Sequence, residues 1–423
     1  MATAPRPAGR DSQFAEAGAP PEARSAERTP EEYKCGYVDG SGTFVIARRF
    51  DQAANFAAGL ARVTRDKKDG FINRAGDYAI PPLFDEAKSF REGLAAVCIE
   101  GKGWGFIDRA GAWVIPPRFA FADSFSQGIA VVSEDTDLSC LGYGDRETPE
   151  GSECEGNYDP EESGPATYFL IDRTGKRVTN KGYHCITRPA DGMAAIRLNG
   201  RWGYVDRTGK EAIAPRFSMA KPFGEGVAAV RVLNAKGEDE LDEGKWGFLN
   251  HQGRFVVSPR FKVDQIGTFS EGLIAVDGVP FAMLDKSAAG RKALALAAKQ
   301  KGMTPREMRE REGDGEWAGY LDKKGTLRIP VRYCFFGDSG GTAERSLREF
   351  SGGIAEVVME QPASIVPFAC SQGETQDVRM FVDQQGRYLE PRPTMLMRYS
   401  SEPLVPKCRD DAPLEGVDRF TWE

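Results

Sequence analysis

The sequence predicts an all-β tandem repeat: three-stranded β units stacked as an open, twisted, solenoid-like array, with a small helical insertion. A closed, propeller-like ring is the alternative. Three observations carry this. One phrase recurs, as GWGFIDRAGAWVIPPRF at 103–119, RWGYVDRTGKEAIAPRF at 201–217 and KWGFLNHQGRFVVSPRF at 245–261. Uninterrupted copies begin at 36, 70 and 105, which gives a shortest period of 34 residues and marks a repeat architecture. Among 423 residues there are 48 Gly and 26 Pro, a usage that favours short strands and turns over long helices. Propeller blades usually take four strands and about 40–45 residues, more than the bare unit supplies, so the ring stands second.

Within each unit the first strand is aromatic and β-branched and ends in Asp or Asn, with Gly three residues on. Eight such hairpins occur, from GYVDGSG (36–42) to MFVDQQG (380–386). An Asp side chain at the start of a type I turn accepts a backbone N–H, and Gly takes the left-handed position that follows. Asp108 and Asp206, with Gly111, Gly209 and Gly253, belong to this turn. The acid alternates with amide at Asn73 and Asn250, and an amide cannot serve as a carboxylate base or nucleophile. The turn acid therefore reads as structural. A second strand such as AWVIP stops at proline, which cannot donate to a ladder. A bend, F-x-x-A-x-x-F, then leads to Glu-Gly or Gln-Gly and a third strand such as LAAV.

Trp104, Trp202 and Trp246 share one register, and Trp317 slips one place earlier. These rings read as inter-repeat core. The outer units, with Cys35, Asp69 or Arg379 in that slot, read as caps facing solvent.

Insertions at 133–167, 233–245, 277–316 and 358–378 enter between the LAAV strand and the next WG strand, and one, CFFGDSGGTAERSLREF (334–350), breaks the rule by widening the bend of the seventh unit. In a stacked array one loop of every unit emerges on one face, so that face carries most of the elaboration. The first insertion is acidic: residues 134–162 hold eleven acids and one base, Arg146. Outside it 55 basic residues stand against 52 acidic, so the net charge of −7 belongs to one loop and the body is no general polyanion binder. Segment 277–316 has helical composition and a capping-box pattern at Thr304 and Glu307. It reads as a basic helical hairpin projecting from the β body. The boundaries are thus a disordered tail at 1–32, a repeat array at 33–390 and an extended C-terminal cap at 391–423.

Eight cysteines show no CxxC or Cys/His cluster, so no zinc site and no cofactor is expected. Cys35 and Cys98 read as small core residues, and Cys140 with Cys154 could pair in an oxidising compartment. The start, MATAPRPAGRDSQFAEAGAP, lacks the apolar core of a secretory signal, so a cytoplasmic setting is expected, with an exported one if a leader has been removed. No apolar run is long enough to span a bilayer.

Two rows of basic residues are the candidate binding ladder. Arg74, Arg109, Arg173 and Arg207 stand at turn tips, in line with His251 and Lys323; Arg118, Arg216, Arg260 and Arg332 stand before the aromatic after proline, in line with Arg49. Stacked, they could meet phosphate, sulfate or carboxylate groups; otherwise the tips are solvated and the second row pairs with the neighbouring unit. Catalysis has little support. The two histidines, His184 and His251, lie apart, no phosphate loop follows a strand, and GDSGG (337–341) has no plausible His partner.

The linked phrases K-W-G-F-[IVL]-[DN]-x-x-G and F-x-E-G-L-A-x-V, spread over residues 34–389, resemble the bacterial WG-repeat (KWG-repeat) proteins. The resemblance implies an all-β repeat and little biochemistry. The Trp-Gly hairpins also look faintly like choline-binding cell-wall repeats, without their paired aromatics. The expected function is a non-catalytic scaffold binding a protein through the insertion-bearing face. A cell-envelope or glycan-binding module is the alternative, and a hydrolase with an unrecognised carboxylate pair is the third reading. Neither a nucleic-acid partner nor a membrane span is expected.

Overall fold

The computed structural model describes residues 34–39, 42–134, 138, 140, 167–232, 244–300, 302–311, 317–332, 349–351, 353–362, 375–389 and 404–407. The strands of these residues form eight small antiparallel sheets, numbered in chain order and beginning at Cys35, Gln52, Glu86, Phe121, Cys185, Met219, Gln265 and Ile354. The third is representative: Glu86–Ala87, Leu94–Ile99, Gly103–Asp108 and Trp113–Phe119, in that order. The bend of the sequence phrase thus supplies a fourth strand of two residues, Glu86 opposite Cys98 and Ala87 opposite Val97. Sheets two, five, six and seven repeat this four-strand order.

Sheet and sequence phrase are offset by half a unit. Each sheet takes its first two strands from one phrase and its last two from the next. The first phrase therefore leaves Cys35–Val38 and Phe44–Phe50 short of a partner strand, and Val405–Lys407 fills that place, pairing Gly36 with Lys407 and Val38 with Val405. The C-terminal segment thus meets the first unit of the array in one sheet, an arrangement that the ring alternative also expects. What reads as an extended cap contributes this strand; the acidic loop beyond 140, GDSGG and the tail 1–32 lie outside the described residues.

The Trp-Gly pair has a separate physical reason for each letter. A Cβ on Gly105 would lie 2.6 Å from the Ile115 carbonyl oxygen and 2.6 Å from the Pro117 nitrogen, so only glycine lets the outer strand approach. The ring seals one sheet against the next. Trp104 is fully buried among Phe106, Ile115 and Phe119 of its own sheet and Ala122, Phe125 and Val132 of the following one. Trp202 does the same between sheets five and six.

Trp317 departs from this. Side chains alternate across a strand, so its one-residue slip turns it to the opposite face. It packs backward into a cluster with Trp246, Phe261 and Phe269, while Tyr320 of the same strand faces sheet eight. The same cluster takes in Leu284, Leu294, Ala297, Ala298 and Met308 of the insertion. Its helices, α1 (Phe281–Lys286), α2 (Ala288–Gln300) and α3 (Pro305–Arg311), therefore do not project as a hairpin; their apolar side chains join the β core. The capping box is present: Thr304 Oγ1 accepts the Glu307 N–H at 3.2 Å and the Glu307 carboxylate accepts the Thr304 N–H at 2.7 Å.

The outer slots do not face solvent. Cys35 is 1% and Asp69 4% exposed. Asp69 pairs with Arg62 at 3.2 Å and accepts the Ala87 N–H of the next sheet at 2.8 Å, so a buried, satisfied carboxylate does there what tryptophan does elsewhere.

Candidate functional site

The turn acids act on their own backbone. Asp108 Oδ1 accepts the N–H groups of Ala110 and Ala112, both at 2.9 Å. The amides Asn73 and Asn250 do likewise, to Ala75 and Asp77 and to Gln252 and Arg254. Asp206 Oδ1 takes Thr208 and Lys210. Gly111, Gly209 and Gly253 close these turns with φ of 81°, 79° and 69°.

The second basic row is engaged between sheets. Arg118 donates to the Gly175 carbonyl at 2.7 Å, Arg216 to that of Gly253 at 3.2 Å and Arg260 to that of Lys324 at 3.1 Å, while Arg49 donates to Gly76. Each guanidinium also lies about over the ring that follows it, 4.8 Å from Phe119 and 5.0 Å from Phe217 and Phe261. Only the backbone of Arg332 is described, opposite Trp317.

At the turn tips, Arg109 lies over Gly59 of the preceding sheet. Arg173 donates to the Glu92 carbonyl, His251 Nε2 meets the Asp191 carbonyl at 2.8 Å, and Lys323 reaches Glu225. Arg74 and Arg207 are exposed. These contacts complete a relay absent from the sequence reading. In the loops of sheets three, five, six and seven the residue before glycine accepts a backbone N–H of the next loop: Glu92 from Gly128, Asp191 from Gly226, Glu225 from Gly272 and Glu271 from Gly353. Gln127 takes the same place toward Gly192 at 2.7 Å. Burial alone would raise the Glu225 carboxyl, but Lys323 and the Gly272 N–H outweigh it and hold it below its usual range. The recurring acid before glycine in the second phrase was the available signal.

A buried ionic triad was also not legible. Lys88 and Asp123, 4% and 1% exposed, lie 3.3 Å apart, and Arg188 binds the same carboxylate through two nitrogens at 2.8 and 3.0 Å. The three come from sheets three, four and five, each just after its two-residue strand. This joins those edges to one another. Burial pushes the Asp123 carboxyl up, yet Lys88 and Arg188 override it and hold it far below the carboxylate range. Lys88 also lies 5.6 Å from the Trp104 ring.

Cys98 is no plain core thiol. It is bonded to Cys140 across 42 residues, which fixes the start of the acidic insertion to sheet three; the Glu100 carboxylate accepts the Cys140 N–H at 2.9 Å. Cys35 and Cys185 are also disulfide-bonded. Burial, then Arg197 nearby, holds the His184 imidazole below its usual value. It and His251 stand in different sheets, and His251 stacks on Phe223 at 4.4 Å. Among the described residues no group of three or more His, Cys, Asp or Glu is placed to hold a metal ion, and no helix is long and apolar enough to cross a membrane.

The positions left for elaboration are the hairpins that lead into the WG-phrase strand, which join the second and third strands of a four-stranded sheet. Insertions enter there in sheets four, six, seven and eight, after Ser133, Val232, Asp277 and Pro362.

No curated protein matches the chain. Among solved structures it is loosely similar to the computationally designed Ika8 protein, at 10% identity over 82% of this chain and 88% of that one with a TM-score of 0.42. It is similar to BamB from Moraxella catarrhalis at 10% identity, over 77% and 88%, with a TM-score of 0.38. The WD40 beta propeller domain of Doa1 gives 14%, over 56% and 78%, with a TM-score of 0.24. The fold rests on the strand pairing described above. The WG-containing repeat model matches residues 36–68, 70–102, 104–135, 168–202, 202–236 and 246–277. With those six matches and the same hairpin in its remaining sheets, the chain belongs to the WG-repeat family.

Proposed function

We propose that this WG-repeat scaffold is a non-catalytic binding protein whose partner is another protein, engaged through the insertion-bearing hairpins. One observation supports this most: four of the five elaborations enter at equivalent hairpins, while the repeated acids, tryptophans and second-row arginines are consumed by turns and inter-sheet contacts. Decorated loops on a rigid frame are the usual place for recognition. The disulfides support work in an oxidising compartment over the cytoplasmic setting.

The helices belong to the core, so deleting 277–316 would test folding rather than binding. The informative variant lacks 143–153 and 155–162, which spares Cys140 and Cys154, and lacks 234–243. Cross-linking in the native cell should lose its principal protein adduct in this variant while thermal unfolding stays unchanged. Adducts retained at full yield would refute the reading. A glycan array bound equally by both forms would favour the envelope-module alternative.

A further inference from the structure

The joint between sheets six and seven holds a cleft of about 750 Å³, the size of a small-molecule site. Its floor is apolar and aromatic: Trp246, Phe261, Val263 and Leu327, with Met283 of α1 on the opposite wall. Four cations line it, Arg231, Arg260, Lys262 and Lys286, against one acid, Asp264, which lies against Gly278.

The repeat supplies an internal control for this cleft. Arg231 pairs with Trp246 across the strands just as Cys98 pairs with Trp104. At the earlier joint the insertion of sheet four closes over that position, with Cys140 bonded to Cys98 and Leu138 against Gly103. At the later joint the insertion of sheet seven stands off as a wall, and the cysteine position holds a guanidinium. Arg231 lies 5.8 Å from the Trp246 ring, and its Nε is buried with no hydrogen-bond partner among the described residues. Convergent cations beside apolar side chains suit one ligand chemistry. Trp246 and Phe261 are themselves buried beneath Arg231 and Arg260, so the guanidinium planes and the half-buried Met283 take the face of an aromatic body while the exposed lysines take its charge.

We infer that this cleft is a binding site for a small aromatic anion. The site is independent of any protein partner. The probe is 1-anilinonaphthalene-8-sulfonate, titrated by fluorescence against the full chain, with the uncharged N-phenyl-1-naphthylamine as control. The sulfonate should bind one to one and the neutral compound about tenfold or more weaker, since only the former gains the cationic field. Lys262→Glu with Lys286→Glu should weaken the sulfonate by about tenfold or more and leave the neutral compound unaffected. Both lysines are exposed, so this variant decides the matter even if Arg231→Gln fails to fold. Unchanged sulfonate affinity in the double variant, or equal binding of the two compounds, would overturn the inference.

Discussion

The joint between sheets three and four and the joint between sheets six and seven are built from the same sentence and end differently. At the first, Trp104 is sealed, Lys88 and Asp123 clasp across the inner edges, and Cys140 staples the incoming insertion shut. At the second, Trp246 is equally buried, yet Trp317 turns back to meet it, three helices join the core, and a cleft stays open. The repeat phrase thus sets where sheets touch, and the insertions decide whether a joint is closed or accessible. The packing of sheet on sheet is shared between joints; the open cleft is local.

The comparison breaks most sharply at the triad. Asp123→Asn leaves Lys88 buried without its counter-ion and should cost about 3–5 kcal/mol in denaturant unfolding. The triad also sets a pH dependence. Because Asp123 is depressed in the folded protein, its stabilisation is fully present above its unfolded value, near pH ~4, and is lost as pH falls below that. Stability of the native chain should decline through that acid range, and Asp123→Asn should flatten the decline.

Next comes the staple. Replacing Cys98 and Cys140 by serine should cost roughly 2–4 kcal/mol, as expected for a loop of this length, measured by unfolding with the remaining disulfides intact. A smaller difference should separate the two tryptophans. Trp104→Ala should cost about 1 kcal/mol more than Trp246→Ala, because water from the open cleft can fill the second site and not the first. An equal loss would mean that the cleft is closed in solution.

Much of this frame was legible in the residues. The turn role of Asp108 followed from Asn73 and Asn250 standing in its place, since chemistry tolerates no such exchange and hydrogen-bonded turns do. The inter-unit role of Trp104 followed from its register. The slip of Trp317 was visible too, but its consequence, a reversal of face, needs the sheet that it crosses.

Other features carry no local signal. Glu86–Ala87 is only two residues long and is a strand because of Cys98 and Val97, not because of its own sequence. Val405–Lys407 lacks the repeat phrase and becomes a strand through the gap left by the offset at Cys35–Val38. Lys88 and Asp123 occupy equivalent places with different residues, and Arg188 stands one residue beyond the equivalent Thr187, so no pattern repeats. The partner of Cys98 cannot be read from spacing. The basic rows were legible as ladders, and the carbonyls of Gly175, Gly253 and Lys324 that engage the second row emerged only from the stacking of sheets.

The smallest expected effect is also the most direct test of the central claim, that the repeated ring holds sheet to sheet while the repeated acid serves only its own turn. Denaturant unfolding of Asp108→Asn and Trp104→Ala, measured side by side, reads it. The amide should keep both turn hydrogen bonds and change stability by less than about 0.5 kcal/mol, whereas the lost ring should cost about 3–5 kcal/mol. The reverse order, with the turn amide costing more than the missing tryptophan, would contradict the account.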